Sequence, residues 1–512
     1  MRRALLPILL VFAPVAVAQI PKPAKAQAAA DAPPILLGME NLKNAPWGPL
    51  VPEYGMEITA NTPSPADLVN RGLYQLQLFR SPQAARHFLA ALREDTTCAM
   101  AWTGLYLALL ETGESAAPLR ETCVKNALAR RDACNAHEQA WLDALQALHQ
   151  RGAGGFALAL ESIRQRFPSD HNAKIWLPMM LRDGYDGANE PRAGQRAAEA
   201  LLSLLLAKRP DDPIVLHAWC QLALVGPKPE VALGQARLLD SLDPPSPYFR
   251  QAAGMVMYRC GDIAGAAAAF DSARRFEEKA LADEGIAPVA APTYFDNLDC
   301  LAIALIECGR RDDALTIARA ARSIHMPWKN TGAAAIREFA VFTLTAETRI
   351  HLRCGTWDKA LEALPPAEHP AIKALPFAAC WVDSLRHYGE GQQAIAAGNA
   401  KALHAALKGS EDNFATLGKL ATEGARTIKN PRWSEVLQLA DMMQYELRAA
   451  EKLLAKDREG ATTWWRSAAA KYPEGFVRAV PRWPLAPDES MAAGLAGAGD
   501  LPAAVQIWEQ AA

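Results

Sequence analysis

The 512-residue sequence predicts an all-α protein, an α-solenoid built from stacked helix-turn-helix units. The stretch 254–273, GMVMYRCGDIAGAAAAFDSA, places small residues and one aromatic residue at helical spacing on either side of a glycine turn. Related spacings recur along the chain. A single hairpin of this kind cannot bury its apolar face alone, so such units stack on one another.

Each marked position in this stretch has a mechanical role. Gly254 allows a second helix to approach closely, and Gly261 suits a turn conformation that other residues resist. Ala266, Phe270 and Ala273 share one face of the second helix, since they are spaced i, i+4, i+7. Matching positions recur at Gly72, Ala84, Phe88 and Ala91; Gly309, Ala314, Ala318 and Ala321; Gly355, Ala360 and Leu364; Ala461, Trp465 and Ala468; and Gly499, Ala504, Trp508 and Ala511.

The N-terminus has the pattern of a secretory signal peptide. Arg2 and Arg3 precede the apolar run 4–15, and Ala16-Val17-Ala18 forms a small-residue cleavage site before Gln19. The apolar run is shorter than the roughly 18 residues that a membrane span needs, which favours cleavage over an uncleaved anchor. We therefore expect export, with the mature protein periplasmic or extracellular.

The remainder divides by composition. Residues 1–18 are the predicted signal peptide, and residues 19–61 are Pro- and Ala-rich at first, which predicts a flexible linker followed by an extended segment. Residues 62–364 form the predicted N-terminal repeat array and residues 365–512 the C-terminal array. The boundary is placed there because the segment 365–376, PPAEHPAIKALP, interrupts the repeat pattern.

The cysteines do not indicate a simple disulfide framework. Cys260, Cys308 and Cys354 each precede a turn glycine, and so occupy the same place in successive units. Stacked helices lie about 8–10 Å apart, farther than the roughly 7 Å that a disulfide allows between Cα atoms, so we expect buried free thiols. The remaining cysteines are undecided: Cys98, Cys123, Cys134, Cys220, Cys300 and Cys380.

Composition and motifs exclude several function classes. The formal net charge of −2 offers no basic field for nucleic acid. The chain has no GxxxxGK[ST], HExxH, GxSxG or CxxC motif, and its histidines lack ligand spacing. The glycine-rich stretch 151–156 follows no predicted strand, so it is interpreted as a turn between helices. We expect no cofactor, no metal, no catalytic residue and no membrane span in the mature chain.

The repeated positions resemble those of tetratricopeptide repeat (TPR) proteins, and more narrowly exported bacterial proteins with degenerate TPR units. The resemblance covers about residues 62–512 and implies a right-handed solenoid whose first helices line a concave groove. It also implies a protein or peptide partner. The carboxylate clamp of TPR proteins needs Lys and Asn on these helices, whereas this chain has Met255, Ile303 and Arg349 at the corresponding places.

In three of the units, the residues at the groove-facing positions of the first helix predict a partner-binding surface. Arg349 and Arg353 share one helix face at i, i+4, and tyrosine and arginine dominate interface energetics. The positive charges of these arginines need compensation, either by Asp296 and Asp299 within the chain or by an acidic partner. If an acidic partner compensates them, replacing both arginines should leave folding nearly intact. Ordinary solvated side chains are the alternative interpretation. The predicted positions are Tyr248, Gln251, Tyr258, Arg259, Asp296, Asp299, Arg349 and Arg353.

The favoured function is a non-enzymatic, exported scaffold that holds a protein or peptide in this groove. Two alternatives from other classes remain open. One is an (α/α) toroid enzyme acting on polysaccharide, which needs two carboxylates about 5–10 Å apart. The other is a structural array that associates with itself.

Overall fold

The computed structural model describes residues 47–110, 116–326, 334–427, 432–471, 480–482 and 486–511. The predicted signal peptide, 1–18, and residues 19–46 of the predicted linker lie outside these ranges. Within them the regular structure is helical, apart from one isolated antiparallel bridge between Tyr185 and Pro191. The all-α prediction is confirmed.

The chain forms two compact units, divided between Asn297 and Leu298. The first unit runs to Asn297 and also includes the described residues 334–336; the second holds the other described residues from Leu298 onward. The predicted division at residue 364 stays a prediction. The helices up to this division are α1 Pro63–Gln77, α2 Ser81–Glu94, α3 Ala99–Ala108, α4 Ala117–Leu128, α5 Ala136–Arg166, α6 His171–Leu181, α7 Ala193–Lys208, α8 Pro213–Ala223, α9 Leu233–Ser241, α10 Pro247–Arg259, α11 Ile263–Glu284 and the start of α12 Pro292–Glu307.

Helices continue to the end of the described chain, with a π-helical turn at Phe339–Thr343. Successive helices pack as antiparallel neighbours across short turns, as in α18 with α19, α20 with α21 and α22 with α23. The later helices are α13 Arg311–Arg322, α14 Ala334–Glu338, α15 Ala346–Arg353, α16 Trp357–Glu362, α17 Pro370–Ala374, α18 Pro376–Ala396, α19 Ala400–Thr427, α20 Arg432–Leu454, α21 Arg458–Lys471, α22 Pro487–Gly497 and α23 Leu501–Ala511.

The predicted turn glycines occupy the left-handed region that the hairpins require. Their φ angles are +80° at Gly261, +73° at Gly309, +63° at Gly355 and +82° at Gly499. At Gly309 the next amide, of Arg310, donates to the Leu305 carbonyl at 2.8 Å, which closes the helix end in a Schellman arrangement. Gly152, with φ +68°, interrupts α5 in the same region, so the stretch 151–156 is a turn between two helices, as predicted.

Gly309→Ala is expected to lower the unfolding free energy by about 1–2 kcal/mol, because a Cβ is disfavoured in the left-handed region. No side chain or backbone atom lies within 4 Å of the added methyl group, so the cost is conformational. Gly418→Ala is the matched control: Gly418 lies within helix α19, also in open space, and should gain about 0.5–1 kcal/mol from helix propensity. Urea unfolding measures both, and equal effects would contradict the turn assignment.

Glycines also set how closely helices approach, both within a hairpin and between neighbouring hairpins. A methyl group built on Gly254 would lie 2.7 Å from Cε1 of the Phe270 ring, and one on Gly104 would lie 2.2 Å from Cε1 of Phe88. Gly72 faces the same Phe88 ring, with a corresponding distance of 2.6 Å. The close approach predicted at Gly254 is present, Gly72 makes the equivalent contact in the first hairpin, and the absence of a side chain is what lets each ring enter.

Residues 47–62 lie along the first unit without forming an α-helix. Tyr54 is buried, and its hydroxyl donates to Asp212 Oδ2 at 2.7 Å. The amide of Thr59 donates to Glu138 Oε1 at 2.8 Å, and the amide of Asn61 donates to Asp95 Oδ2 at 2.8 Å. Side-chain carboxylates of distant helices thus take the hydrogen bonds that this extended backbone would otherwise make with water.

All nine cysteines are free thiols in the structure. Cys260 and Cys354 cap the C-terminal ends of α10 and α15, and Cys308 directly follows α12, so the three occupy equivalent places. They are half-buried, which corrects the expectation of full burial. They are partly exposed because they lie at the ends of helices, next to the turns.

A buried carboxyl joins three helices of the second unit. Glu446 of α20 accepts hydrogen bonds from the hydroxyl groups of Tyr388 on α18, at 2.6 Å, and Ser490 on α22, at 3.0 Å. Burial raises the pKa of Glu446 from its ordinary 4.5 to about 7. The folded state therefore favours the protonated acid.

We expect the second unit to lose stability between pH 4.5 and 7. A carboxyl whose pKa rises on folding contributes its full stability below the unfolded pKa and loses it as the pH rises through the folded pKa. For Glu446 this loss is about 3 kcal/mol. Glu446→Gln should flatten the decrease measured by urea unfolding, whereas the exposed Glu459→Gln should not. An unchanged pH slope in Glu446→Gln would contradict the expectation.

Candidate functional site

The predicted partner-binding residues lie on the first helices of three hairpins. Tyr248, Gln251, Tyr258 and Arg259 lie on α10, Asp296 and Asp299 on α12, and Arg349 and Arg353 on α15. Through Asp296 they belong to the first unit, and from Asp299 to the second. Their partner-binding role stays a prediction, but their surroundings differ from the expectation of open solvent.

On α10 and α12 of the first unit, two predicted residues bond to each other. Gln251 and Asp296 are buried, and Gln251 Nε2 donates to Asp296 Oδ2 at 2.9 Å. This corrects their expected exposure: they join neighbouring first helices. Tyr258 and Arg259 are half-buried, and Arg259 Nη1 donates to the carbonyl of Leu224 at the end of α8, at 2.6 Å.

In the second unit the predicted arginines are compensated from within the chain. Arg349 is only 3% exposed and pairs with the buried Asp299, which corrects the expectation that both face open solvent. Its guanidinium also donates to the carbonyls of Arg482 at 2.7 Å and Phe342 at 2.8 Å. The buried ion pair compensates the charge of Arg349 without an acidic partner, and the two hydrogen bonds engage its terminal nitrogens, while its buried Nε has no hydrogen-bond partner.

Arg353 is half-buried and has two acidic neighbours. Its Nε lies 3.3 Å from Glu307 Oε1 on α12, and its Nη1 pairs with Glu489 on α22. Between α12 and α15 lies a cleft of about 290 Å³, including its open mouth, with mainly alanine and isoleucine walls. The cleft suits an apolar group. Its lining residues are Asp299, Ala302, Ile303, Ile306, Glu307, Ala346, Arg349 and Ile350.

A second pocket, in the first unit, is more polar, and we refer to it as the α10–α12 pocket. It measures about 190 Å³, including its open mouth, and lies between the first helices α10 and α12 over the second helix α11. Two of the predicted residues line it. The full lining is Pro247, Tyr248, Gln251, Ala273, Glu277, Thr293, Tyr294 and Asn297.

Glu277 is the charged lining residue that the sequence-based prediction missed. It follows Ala273 by four residues on α11, so it continues the stripe of Ala266, Phe270 and Ala273 that packs inside the hairpin. The side chain is 8% exposed, and its burial raises the pKa to about 7. A carboxyl on an otherwise apolar helix stripe was the signal available in the sequence.

The turn between α1 and α2 borders this pocket. The Phe79 ring stacks on Tyr248 with centroids 5.9 Å apart and meets His217 edge-on at 4.8 Å. Ser246 donates to the carbonyl of Leu78 at 2.6 Å. Phe79 has φ +58°, a conformation uncommon for a residue with a side chain, and these contacts hold it there. The turn thus covers part of the first-helix surface.

Two arginines of the first hairpin reach the end of α11. Arg80 Nη2 pairs with Glu284 Oε1 at 2.7 Å, and Arg86 Nη1 lies 3.3 Å from Glu284 Oε2. The charge of Arg80 lowers the pKa of Glu277 and that of Glu284 raises it, both less than burial does. The guanidinium of Arg80 is therefore committed to Glu284 rather than bonded to Glu277.

The described residues contain no cluster of three or more His, Cys, Asp or Glu side chains with the geometry to hold a metal ion. Among the same residues, no helix combines the length and apolar character that crossing a membrane requires. What the described pockets offer is reversible contact with an apolar group or with a hydrogen-bond donor.

Neither a protein-family model nor a curated protein matches the chain. Among solved structures, it is similar to yeast Tom70 with a TM-score of 0.35 at 12% identity, over 87% of this chain and 90% of that one. It is similar to the TPR domain of P58(IPK) with a TM-score of 0.21 at 13% identity, over 87% of this chain and 99% of that one. The glycine turns and helix packing of the chain itself show a series of helical hairpins.

Proposed function

We propose that this protein is a non-enzymatic scaffold that binds a protein or peptide segment on the first helices of its TPR-like units. The observation that carries the proposal is the α10–α12 pocket. The pocket lies between successive first helices. Its lining combines the buried carboxyl of Glu277 with two tyrosines, one of which is the half-buried Tyr248. Such aromatic and polar mixtures are typical of peptide-contacting surfaces.

Export is part of the proposal. Residues 1–18 carry its support: two arginines, an apolar run and an A-x-A site. Intact-mass measurement of the protein from its native host should give a chain that starts at Gln19. A chain that retains Arg2 and Arg3 would contradict export with cleavage.

Selection from a random peptide library on the immobilised mature protein tests the binding function. We expect peptides whose affinity falls tenfold or more, about 1.4 kcal/mol, in Tyr248→Ala. Leu204→Ala is the matched control, because Leu204 is an exposed side chain of the same unit, on α7. Thermal melting of each variant separates lost binding from lost folding.

Two results would contradict the proposal. Failure to select any peptide sensitive to Tyr248→Ala would remove the first-helix surface as the binding site. Turnover of a polysaccharide by the purified protein would favour the toroid-enzyme alternative, and its loss in a carboxylate variant would establish catalysis.

A further inference from the structure

The α10–α12 pocket contains a hydrogen-bond acceptor that lacks a donor. Asn297 Nδ2 donates to the Phe270 carbonyl at 2.9 Å, which fixes the orientation of the amide. Its Oδ1 is buried and has no hydrogen-bond partner. Glu277 is buried in the same lining, and the charges that act on its carboxyl are those of Arg80 and Glu284. The Asn297 oxygen therefore bears the cost of desolvation without a compensating bond.

Three nearby donors are already used. Gln251 Nε2 donates to Asp296, and the Tyr294 hydroxyl donates to Glu278 Oε1 at 3.0 Å. Arg80 is paired with Glu284. A ligand that brought only acceptors, such as a carboxylate, would find no partner among these groups. Asn297 Oδ1 has no donor, and the Glu277 carboxyl beside it can accept as well, so the two favour a group that brings donors.

The size of the pocket and its aromatic lining indicate which kind of donor group fits. The 190 Å³ of the pocket includes open solvent at its mouth, and the enclosed part has room for a head group about the size of one water molecule, with any alkyl stem left in the mouth. An ammonium has three donors around a point charge, whereas a guanidinium is a planar fork of five. The rings of Tyr248 and Tyr294 line the pocket, and aromatic faces attract cations.

We propose that the α10–α12 pocket binds a primary ammonium group, with Glu277 and Asn297 as its acceptors. The group comes from a lysine side chain or from a chain N-terminus of the bound segment. This inference rests on the proposed function, since it names the group that a bound peptide presents there. It also predicts recognition opposite in charge to a carboxylate clamp.

The charged groups around Glu277 determine the pH dependence of binding. Arg80 from the α1–α2 turn and Glu284 from α11 act on its carboxyl, Arg86 on α2 pairs with Glu284, and burial raises the Glu277 pKa to about 7. Only the ionised carboxylate attracts an ammonium. Binding should therefore strengthen between pH 6 and pH 8.

The experiment uses small probes on the full mature protein. N-acetyl-lysine methylamide carries only a side-chain ammonium, alanine methylamide only an α-ammonium, and N-acetyl-norleucine methylamide neither. Saturation-transfer NMR titration should show at least one ammonium probe binding tenfold or more tightly than the norleucine probe. Glu277→Gln should remove that preference, and Asp283→Asn, an exposed substitution on the same helix, should keep it.

Several outcomes overturn the inference. They are equal binding of ammonium and norleucine probes, a preference that survives in Glu277→Gln, or equal binding of N-acetyl-arginine methylamide. Asn297→Ser is a second variant should Glu277→Gln fold poorly, and it should weaken ammonium binding as well.

Failure of this inference is distinguishable from failure of the proposed function. Selected peptides that depend on Tyr248 but tolerate both lysine-to-norleucine replacement and N-terminal acetylation would overturn the ammonium site and leave the scaffold. Conversely, probe binding that depends on Glu277, without any selected peptide, would leave the site and overturn the scaffold.

Discussion

Arg349→Ala should destabilise the second unit by about 3–5 kcal/mol, the range for removing one partner of a buried ion pair. The change leaves the buried Asp299 without its counter-charge, and Asp299 Oδ2 already lacks a hydrogen-bond partner. It also frees the carbonyls of Phe342 and Arg482. A large fall in urea midpoint would show a structural role, contrary to the sequence-based expectation that an arginine serving a partner could be replaced without loss of folding.

The control is an arginine of the same unit in an exposed pair. Arg386 on α18 lies 3.1 Å from Asp383, with 41% and 43% of the two side chains exposed. Arg386→Ala should cost at most about 1 kcal/mol. Combining Arg349→Met with Asp299→Asn should cost less than Arg349→Met alone, because no buried charge then remains unpaired. Equal effects of Arg349→Ala and Arg386→Ala would contradict the assignment.

Phe270→Ala is expected to cost about 3–5 kcal/mol in the first unit, as for other fully buried aromatic residues. The Phe270 ring is 0% exposed and packs on Gly254, which has no side chain to move into the space left behind. Leu204→Ala, at a side chain 62% exposed, should change stability by less than about 0.5 kcal/mol. Thermal and urea unfolding measure both.

The same contact offers a rescue experiment. Gly254→Ala alone should destabilise, because its methyl group would lie 2.7 Å from Cε1 of Phe270. In a Phe270→Ala background that clash is absent, and the added methyl group fills part of the cavity. The double variant should therefore lose less unfolding free energy than the sum of the losses in the two single variants. Strict additivity would show that residues 254 and 270 do not pack together.

The hairpins were predictable because their determinants are local. Gly254, Gly261 and Phe270 lie within one stretch, and helical spacing alone decides that the glycine and the ring meet across the turn. The same spacing does not give the end of α11, which runs to Glu284 and is followed by Gly285 with φ +64°. The end of a helix depends on capping and packing, which spacing does not report.

The candidate site was only partly predictable, because its burial depends on distant segments. Tyr248 and Gln251 were identified from their helix face, whereas the burial of Arg349 requires Arg482, which is 133 residues away in sequence. Periodicity shows which face meets the partner helix of the same hairpin. It does not show which remote turn will cover the opposite face.

The Phe79 turn has a consequence for how the first unit is made. An open repeat array folds by adding neighbours, and each repeat can form as soon as it leaves the ribosome. Here Leu78 bonds to Ser246, 168 residues later, and Arg80 to Glu284, 204 residues later. The turn of the first hairpin therefore cannot form these contacts until the sixth hairpin, α10–α11, has been synthesised. Such long closures slow folding and make the unit cooperative, so we expect no stable fragment that ends before residue 284.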